Sequence, residues 1–437
     1  MLQKLDEFVQ GASRVLVAFS GGLDSTVLLH LLRHSTWHHR VSAVHVNHGL
    51  QGQADAWEAH CRALCVEWGI PFTSFLLSLP TDEGNIEARA RDARYRVIAD
   101  MMAPGDVVVT GHHASDQAET LLYRLTRGAG LAGMAGMREC REFASGWLYR
   151  PLLTQSRAQL LAYAQAHSLT WVDDPSNDAL HFDRNYLRAE VLAPLRQRWP
   201  HFEQAAQRSA AQLAEASALL QRYVAADVQR CAPSVERLGF SLDLTVLREF
   251  DESRRAAVLR AWLMTFLTRP PSFQSRAALE ALCLAREDAA PELIIYEGRC
   301  CRFRDRVYFL PQWPLPKPTT RVWHRRETIV LGDGAVLIPP LEDGAPWPGG
   351  PLEIRFRAGG ERVQPRERTH SQTLKKVLQE YALEPWLRDR VPLVYRGDAL
   401  LAVAGVFVTS ENGAEALQGC QWLYNTAAPG DPLNVSE

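Results

Sequence analysis

The sequence predicts an α/β fold, a parallel sheet with helices on both faces, followed by a mainly helical domain and a small C-terminal α+β domain. Three observations predict it. Short apolar runs alternate with helix-like segments through the first part of the chain, helical patterns dominate from about Phe182 to residue 286, and strand patterns return after Leu352. Strands separated by helices argue a parallel sheet, because the return path between parallel strands is usually a helix.

In chain order, Val15 to Phe19 is a short apolar run expected as a buried strand, and Leu23 to Leu32 a helix. Val41 to Val46 and Phe72 to Leu79 read as strands, Asn85 to Met102 as a helix, and Asp106 to Thr110 as a strand. Ser115 is expected to cap a helix that runs through Arg127. From Phe182 to Val228 the pattern is helical with a break near Trp199-Pro200, and two helices follow at 252–267 and 274–286, then a hairpin-like stretch from Glu292 to Leu310. Nine of the 25 prolines lie between Pro311 and Pro351, which suits a stiff connector, with a strand pair expected only at Thr328 to Leu337. Beyond it, strands are expected at Leu352–Arg357, Pro392–Tyr395, Leu400–Val408 and Gln421–Tyr424. A helix at Gln372–Tyr381 lies among them, with Thr369 and Gln372 spaced as a capping box. Its apolar stripe, Leu374, Val377, Leu378 and Tyr381, turns Lys375, Lys376 and Gln379 outward. The domains so read are 1–219, 220–312, a connector at 313–351, and 352–437.

Composition narrows the function. An apolar fraction of 46% and a charged fraction of 22% belong to a folded globular protein. No apolar run approaches the roughly eighteen residues of a membrane span, and the N-terminus has no signal core, so a cytoplasmic protein with no membrane partner is expected. The eight cysteines include no C-x-x-C, which argues against a zinc knuckle or a dithiol redox pair; Cys61 and Cys65, four apart, read as one buried helix face. A net charge of −2 excludes a basic protein overall, yet seven Arg or Lys and two acids lie between Arg355 and Lys376, a candidate anion-binding patch.

Chemistry concentrates first at Ser20-Gly21-Gly22-Leu23-Asp24-Ser25, between the first strand and the first helix. Two glycines let backbone N–H groups close on an anion, and the helix N-terminus adds positive potential. Asp24 is repulsive beside phosphates unless a cation such as magnesium bridges them. The G-x-x-x-x-G-K-[ST] spacing and its lysine are missing, so this is not a Walker loop. Gly128 to Gly133 fits G-x-G-x-x-G but follows a helix rather than a strand, so it reads as a flexible loop at the edge of the site.

The second cluster, Gly111 to Thr120, sits at a strand's carboxyl end, where open α/β sheets bind ligands. Asp116 and Glu119, three apart, share one helix face and suit either a bound cation or simple complementation of the helix dipole. His112 and His113, being adjacent, diverge on most backbones, which argues against a zinc box. Arg91, Arg94 and Tyr95 form a cluster that suits phosphate or a solvated face. Trp171 to Asn177 and Asp183 to Arg188 combine loop acids with a basic helix.

The S-G-G-x-D-S loop after an apolar strand resembles the PP-loop, or N-type, ATP pyrophosphatases. The full order S-G-G-x-D-S, His45-Val46-Asn47-His48-Gly49-Leu50, A-R-x-x-R-Y, G-H-H-x-x-D-Q-x-E-T, D-x-S-N and R-N-x-L-R is similar to the tRNA(Ile)-lysidine synthetases among them. So are Leu374 to Glu380 and Pro385-Trp386-Leu387-Arg388-Asp389, which imply the long bacterial form. The resemblance implies ATP as substrate with magnesium, L-lysine, and an isoleucine tRNA with a CAU anticodon as partners, with a homodimer left open. It implies that Ser20 to Ser25 bind ATP, that Asp24 meets magnesium, and that Asp116 and Glu119 hold lysine. Arg91 or Arg94 would face the adenylate, and Arg184, Asn185, Arg188, Lys375 and Lys376 would meet tRNA, with 220–312 and 352–437 as tRNA-binding domains. A tRNA-thiolating enzyme is disfavoured by the lack of a cysteine pair, and a metabolite ligase leaves the basic patch unexplained. A tRNA-binding protein with a relic loop leaves intact acids unexplained.

Overall fold

The computed structural model describes residues 11–47, 53–77, 86–173, 179–180, 182–286, 289, 291–316, 320–324, 327–340 and 347–424. It divides into two compact units, residues 1–220 and 221–437. Parts of several expected features lie outside the described residues: the end of the His45–Leu50 motif, the end of the strand expected at Phe72 to Leu79, Asn85, and Asp174 to Asn177.

The first unit runs β1 (Val15–Ala18), α1 (Leu23–Arg33), β2 (Val41–Asn47), α2 (Ala54–Trp68), β3 (Phe72–Leu76), α3 (Ile86–Met101), β4 (Val107–Val109), α4 (Ala114–Thr126), α5 (Leu131–Met134), β5 (Cys140–Phe143), β6 (Gly146–Tyr149) and α6 (Arg157–Ala166). The strand order is β3-β2-β1-β4-β6-β5, parallel throughout except for β5, which pairs antiparallel with β6. Strand alternation splits the core in two. Val15, Val17, Val107 and Val109 face α1, α2 and α6, while Leu16, Val44, Val108 and Leu148 face Ile98 of α3. The sheet therefore has helices on both faces. Cys61 and Cys65 are both fully buried on α2, as their spacing implied.

Two local differences from the sequence expectation stand out here. The β5–β6 hairpin was not foreseen, because each strand has only four residues. The α4 cap is His113, not Ser115: the His113 side chain accepts from Ser115 N–H while Asp116 accepts from the His113 N–H, so the helix starts two residues earlier.

After α6 come α7 (Asp183–Tyr186), a wide π-helical turn at Leu187–Leu192, α8 (Ala193–Arg198) and the long α9 (Phe202–Arg230). The break falls at Trp199-Pro200, where proline cannot continue the hydrogen-bond ladder.

The second unit continues with β7 (Ser234–Val235), β8 (Phe240–Asp243), α10 (Leu244–Glu249), α11 (Glu252–Leu263), α12 (Phe273–Leu284), β9 (Glu292–Ile295), β10 (Gly298–Phe303) and β11 (Arg306–Pro311). The expected hairpin is the centre of a five-stranded antiparallel sheet, β7-β8-β11-β10-β9, which packs against the three helices. Next come β12 (Arg321–Trp323), β13 (Ile329–Val330), β14 (Ala335–Ile338), β15 (Leu352–Arg355), β16 (Arg362–Val363), β17 (Gln372–Thr373), α13 (Leu374–Glu380), β18 (Leu393–Arg396), β19 (Ala399–Val403), β20 (Phe407–Val408) and β21 (Gln421–Tyr424). The proline-dense stretch is thus no free connector. Its β12 joins the β15–β18–β19–β20 sheet, β13 pairs with β14 and β14 with β21, and Trp323 is fully buried in the same core as Leu352 and Trp422. The Thr369–Gln372 box does not form, because Gln372 and Thr373 are drawn into β17 and Thr373 caps α13 without a side-chain bond.

Candidate active site

The phosphate loop connects β1 to α1. Gly21 has φ +81°, a left-handed conformation, and a Cβ there would lie 2.6 Å from Cys61 Sγ. Ser25 Oγ braces the loop, receiving the Ser20 N–H at 3.3 Å and donating to Gly22 O at 3.1 Å. Thr26 Oγ1 donates to Gly21 O at 3.3 Å, so both hydroxyls serve loop geometry when no ligand is bound. Val172 N–H closes on Gly21 O at 2.9 Å, bringing the Trp171–Asp173 segment to the loop.

The next strand end meets this loop directly. A Cβ on Gly111, just beyond β4, would approach the Asp24 carbonyl carbon to 3.0 Å and the Ser25 nitrogen to 3.1 Å, so only glycine lets the two backbones come this close. The contact places His113 beside Asp24, with His113 Nε2 at 3.5 Å from Asp24 Oδ2. The other oxygen, Asp24 Oδ1, is buried and has no hydrogen-bond partner. An orphaned carboxylate oxygen beside a phosphate loop fits a cation ligand. Among the described residues no group of three His, Cys, Asp or Glu forms a metal box, so the protein would supply few ligands and phosphate and water the rest.

Burial alone would lower the His113 pKa, but Asp24, Asp116 and Glu119 outweigh it and raise the value. His112 goes the other way. Burial, and then the nearby Arg150, Arg91 and Arg184, hold it well below the ordinary histidine value, and its Nδ1 lies 2.7 Å from Thr110 Oγ1. Glu119 is nearly inaccessible and forms a bidentate pair with Arg188, at 2.7 Å to Nε and 3.0 Å to Nη2. Burial raises its pKa despite that partner. Arg188 can reach it because the π-helical turn carries it against α4.

Three family models match the chain: a PP-loop domain over residues 1–195, a TilS substrate binding domain over 242–308 and a TilS substrate C-terminal domain over 352–423. The chain is 40% identical over 415 residues to a tRNA(Ile)-lysidine synthase of Edwardsiella ictaluri strain 93-146, covering 93% of each chain. It is 38% identical over 425 residues to that of Shigella flexneri, covering 94% of this chain and 96% of the relative. For that of Serratia proteamaculans strain 568 the identity is 40% over 408 residues, with 91% and 92% covered.

This chain belongs to the tRNA(Ile)-lysidine synthase family.

For a chain of the lysidine synthase family, the structure gathers Ser20 to Ser25, Asp24, Asp116, Glu119 and Arg188 at the carboxyl ends of β1 and β4. Arg91 is half-buried on α3, its guanidinium 5.8 Å from the Tyr95 ring, and Arg94 is exposed on the same helix. Arg184 and Asn185 lie on α7, where Asn185 Nδ2 donates to Ala179 O at 3.0 Å. Lys375 and Lys376 lie exposed on α13 in the second unit. The loop after α4 is held rather than loose: Arg124 Nη1 donates to Gly133 O at 2.6 Å and to Gly136 O at 2.9 Å. Two residues close to these groups escaped the sequence reading. His113 was weighed only as a metal ligand, though its position three before Asp116 fits a capping box. Arg150 follows an apolar strand with no motif around it.

Proposed function

We propose that the chain joins free L-lysine to the wobble cytidine of a CAU-anticodon isoleucine tRNA at the expense of ATP, yielding lysidine, AMP and pyrophosphate. The observation that carries this is the convergence of Asp24, Asp116 and Glu119 on one phosphate loop, in a chain that matches lysidine synthases over almost its whole length. In the first step the 2-oxo group of cytosine attacks the α-phosphorus and the bond to pyrophosphate breaks. In the second the ε-amine of lysine attacks carbon 2, the carbon–oxygen bond breaks, AMP leaves, and the amine gives up its proton.

Each residue has a task in that scheme. The loop N–H groups hold the departing pyrophosphate. Asp24, through Oδ1, would hold magnesium, which would offset phosphate charge. Arg91 or Arg94, both on α3, would meet the adenylate. Asp116 spends Oδ2 on the α4 cap, and its Oδ1 accepts from no described residue, so it suits lysine's ammonium. Glu119, held by Arg188, lies on the same helix as Asp116 and would help to orient lysine. Arg188 therefore serves the lysine side of the site as well as any RNA nearby, a wider role than the sequence suggested.

Pyrophosphate release and product formation with ATP, lysine and tRNA, each withheld in turn, test the scheme. The expected result is pyrophosphate release that needs tRNA and a modified cytidine that needs lysine. Turnover on a small metabolite without tRNA, or product that needs a sulfur donor, overturns it.

A further inference from the structure

Arg150 leaves β6 at the carboxyl edge of the sheet, beside Thr110, whose N–H donates to Tyr149 O at 3.1 Å. It is 4% exposed. Its Nη1 donates to Arg138 O at 2.8 Å, Tyr95 is its side-chain partner, and its Nε is buried with no partner. Among the described residues it makes no ion pair with a carboxylate. Arg124, which also has no such ion pair among the described residues, gives Nη1 to two backbone carbonyls. Arg91 leans on the same Tyr95 ring that Arg150 bonds. Arg91, Arg150 and Arg184 all act on His112, and Arg91 and Arg184 on Arg124. Three guanidinium groups thus act on one imidazole, and Arg124 feels two of the three. Arg150 is the buried charge among them that has an unpartnered Nε and no carboxylate partner among the described residues, which is costly, and an anion entering beside it would be stabilised.

ATP is not that anion if its pyrophosphate lies on the phosphate loop. The strand order β1-β4-β6 puts Arg150 two strand spacings from the loop, about 10 Å. A second phosphate is needed, and a polynucleotide supplies one beside the reacting base. Arginine's planar fork suits a phosphodiester.

We propose that Arg150, with Arg124 and Arg184, forms a second oxyanion site that holds a backbone phosphodiester of the RNA substrate next to the nucleotide being modified. This rests on the function proposed above in taking RNA as substrate. Its test reads RNA binding without ATP or lysine, so it succeeds or fails independently of lysine ligation.

The experiment is filter binding of a CAU-anticodon isoleucine tRNA transcript at several salt concentrations, with Arg150→Gln, Arg150→Lys and Arg184→Gln, alongside ATP binding and thermal unfolding. Arg150→Gln should weaken tRNA binding about tenfold at low salt and lower the salt slope by about one contact, with ATP affinity unchanged. Arg150→Lys should keep the slope, because it keeps the charge. If Arg150→Gln does not fold, Arg184→Gln, on a half-exposed residue, carries the same expectation. Unchanged tRNA affinity and slope in the folded variants would overturn the proposal and leave Arg150 structural. Lost ATP affinity with intact tRNA binding would also overturn it, assigning the cluster to the nucleotide's phosphates.

Discussion

Asp24 divides its two oxygens between different tasks. Oδ2 faces His113 Nε2 at 3.5 Å, and Oδ1 is buried without a partner. We expect a cation to complete the shell of that buried oxygen beside the phosphate loop. Asp24→Ala should therefore abolish pyrophosphate release while leaving tRNA affinity near that of the parent, and retained ATP cleavage in this variant would refute the assignment of the loop. Asp116 and Glu119 make a finer contrast. Asparagine at 116 can still accept the His113 N–H, so Asp116→Asn should keep the α4 cap and its stability while losing the charge that draws lysine. Glu119→Gln breaks a charged pair to Arg188, and both its stability and its use of lysine should fall. A charged hydrogen bond is worth about 1.5–3 kcal/mol, so each variant should lose roughly one to two orders of magnitude in kcat/KM for lysine. A steady-state titration of lysine checks this; unchanged kcat/KM in both would leave the two acids structural. The acids themselves were legible in the sequence, because phosphate loops and helix starts constrain residue type locally. The Glu119–Arg188 pair was not, since it joins positions 69 residues apart through a π-helical turn that no local pattern announces.

Among the elements, α1 carries the phosphate loop at one end and a histidine cluster along its body. His30 is buried against α6, with Nδ1 3.0 Å from Tyr163 Oη, and it packs near His34, His167 and Trp68. Burial, followed by the charges of His34, His167 and Arg33, pushes its pKa down to about 4. The unfolded chain therefore binds a proton here below about pH 6.5, the ordinary histidine value, while the folded chain stays neutral until about pH 4. Stability is present in full above pH 6.5 and falls as the pH drops through this window. His30→Gln should flatten that fall, seen as a smaller difference between melting temperatures at pH 7 and pH 5 than in the parent. Equal differences would mean that another group governs the acid response. At this scale the sequence told more where an element has a strong period, as in α1, the buried strands and α13. It told less where pairing partners are distant: β12 looks like part of a proline-rich connector, and the strand pair expected at Thr328–Leu337 shows no partner of its own, until β15 and β21 supply the neighbours that bury Trp323 and Leu337.

For the whole molecule, net charge says little, since −2 is spread over 437 residues. Local excess says more, and the structure trims it. Of the basic residues between Arg355 and Lys376, Arg355 pairs with Glu353, Arg357 with Asp389 and Arg368 with Glu380. Arg362, Arg366, Lys375 and Lys376 stay exposed, and Lys376 meets Glu380 only at 3.8 Å with most of its side chain in solvent. A solvated pair of that kind holds a side chain weakly, so both lysines are free to exchange partners. We expect them to contact tRNA phosphates or sugars rather than take part in chemistry, which belongs to the first unit. Charge contacts of this type set affinity and register, and salt weakens them by releasing counterions. Replacing both lysines with alanine should raise the tRNA concentration needed for half-saturation and lower the salt slope by up to about two contacts, with kcat at saturating tRNA unchanged. Stability should stay within about 0.5 kcal/mol, because Leu374, Val377 and Leu378 on the opposite face keep α13 in its core. Filter binding across a salt series, with a thermal melt as control, decides the matter. An affinity and slope equal to the parent's would show that this exposed face is merely solvated, and the remaining positive charge, at Arg362 and Arg366, would become the next place to look for the RNA.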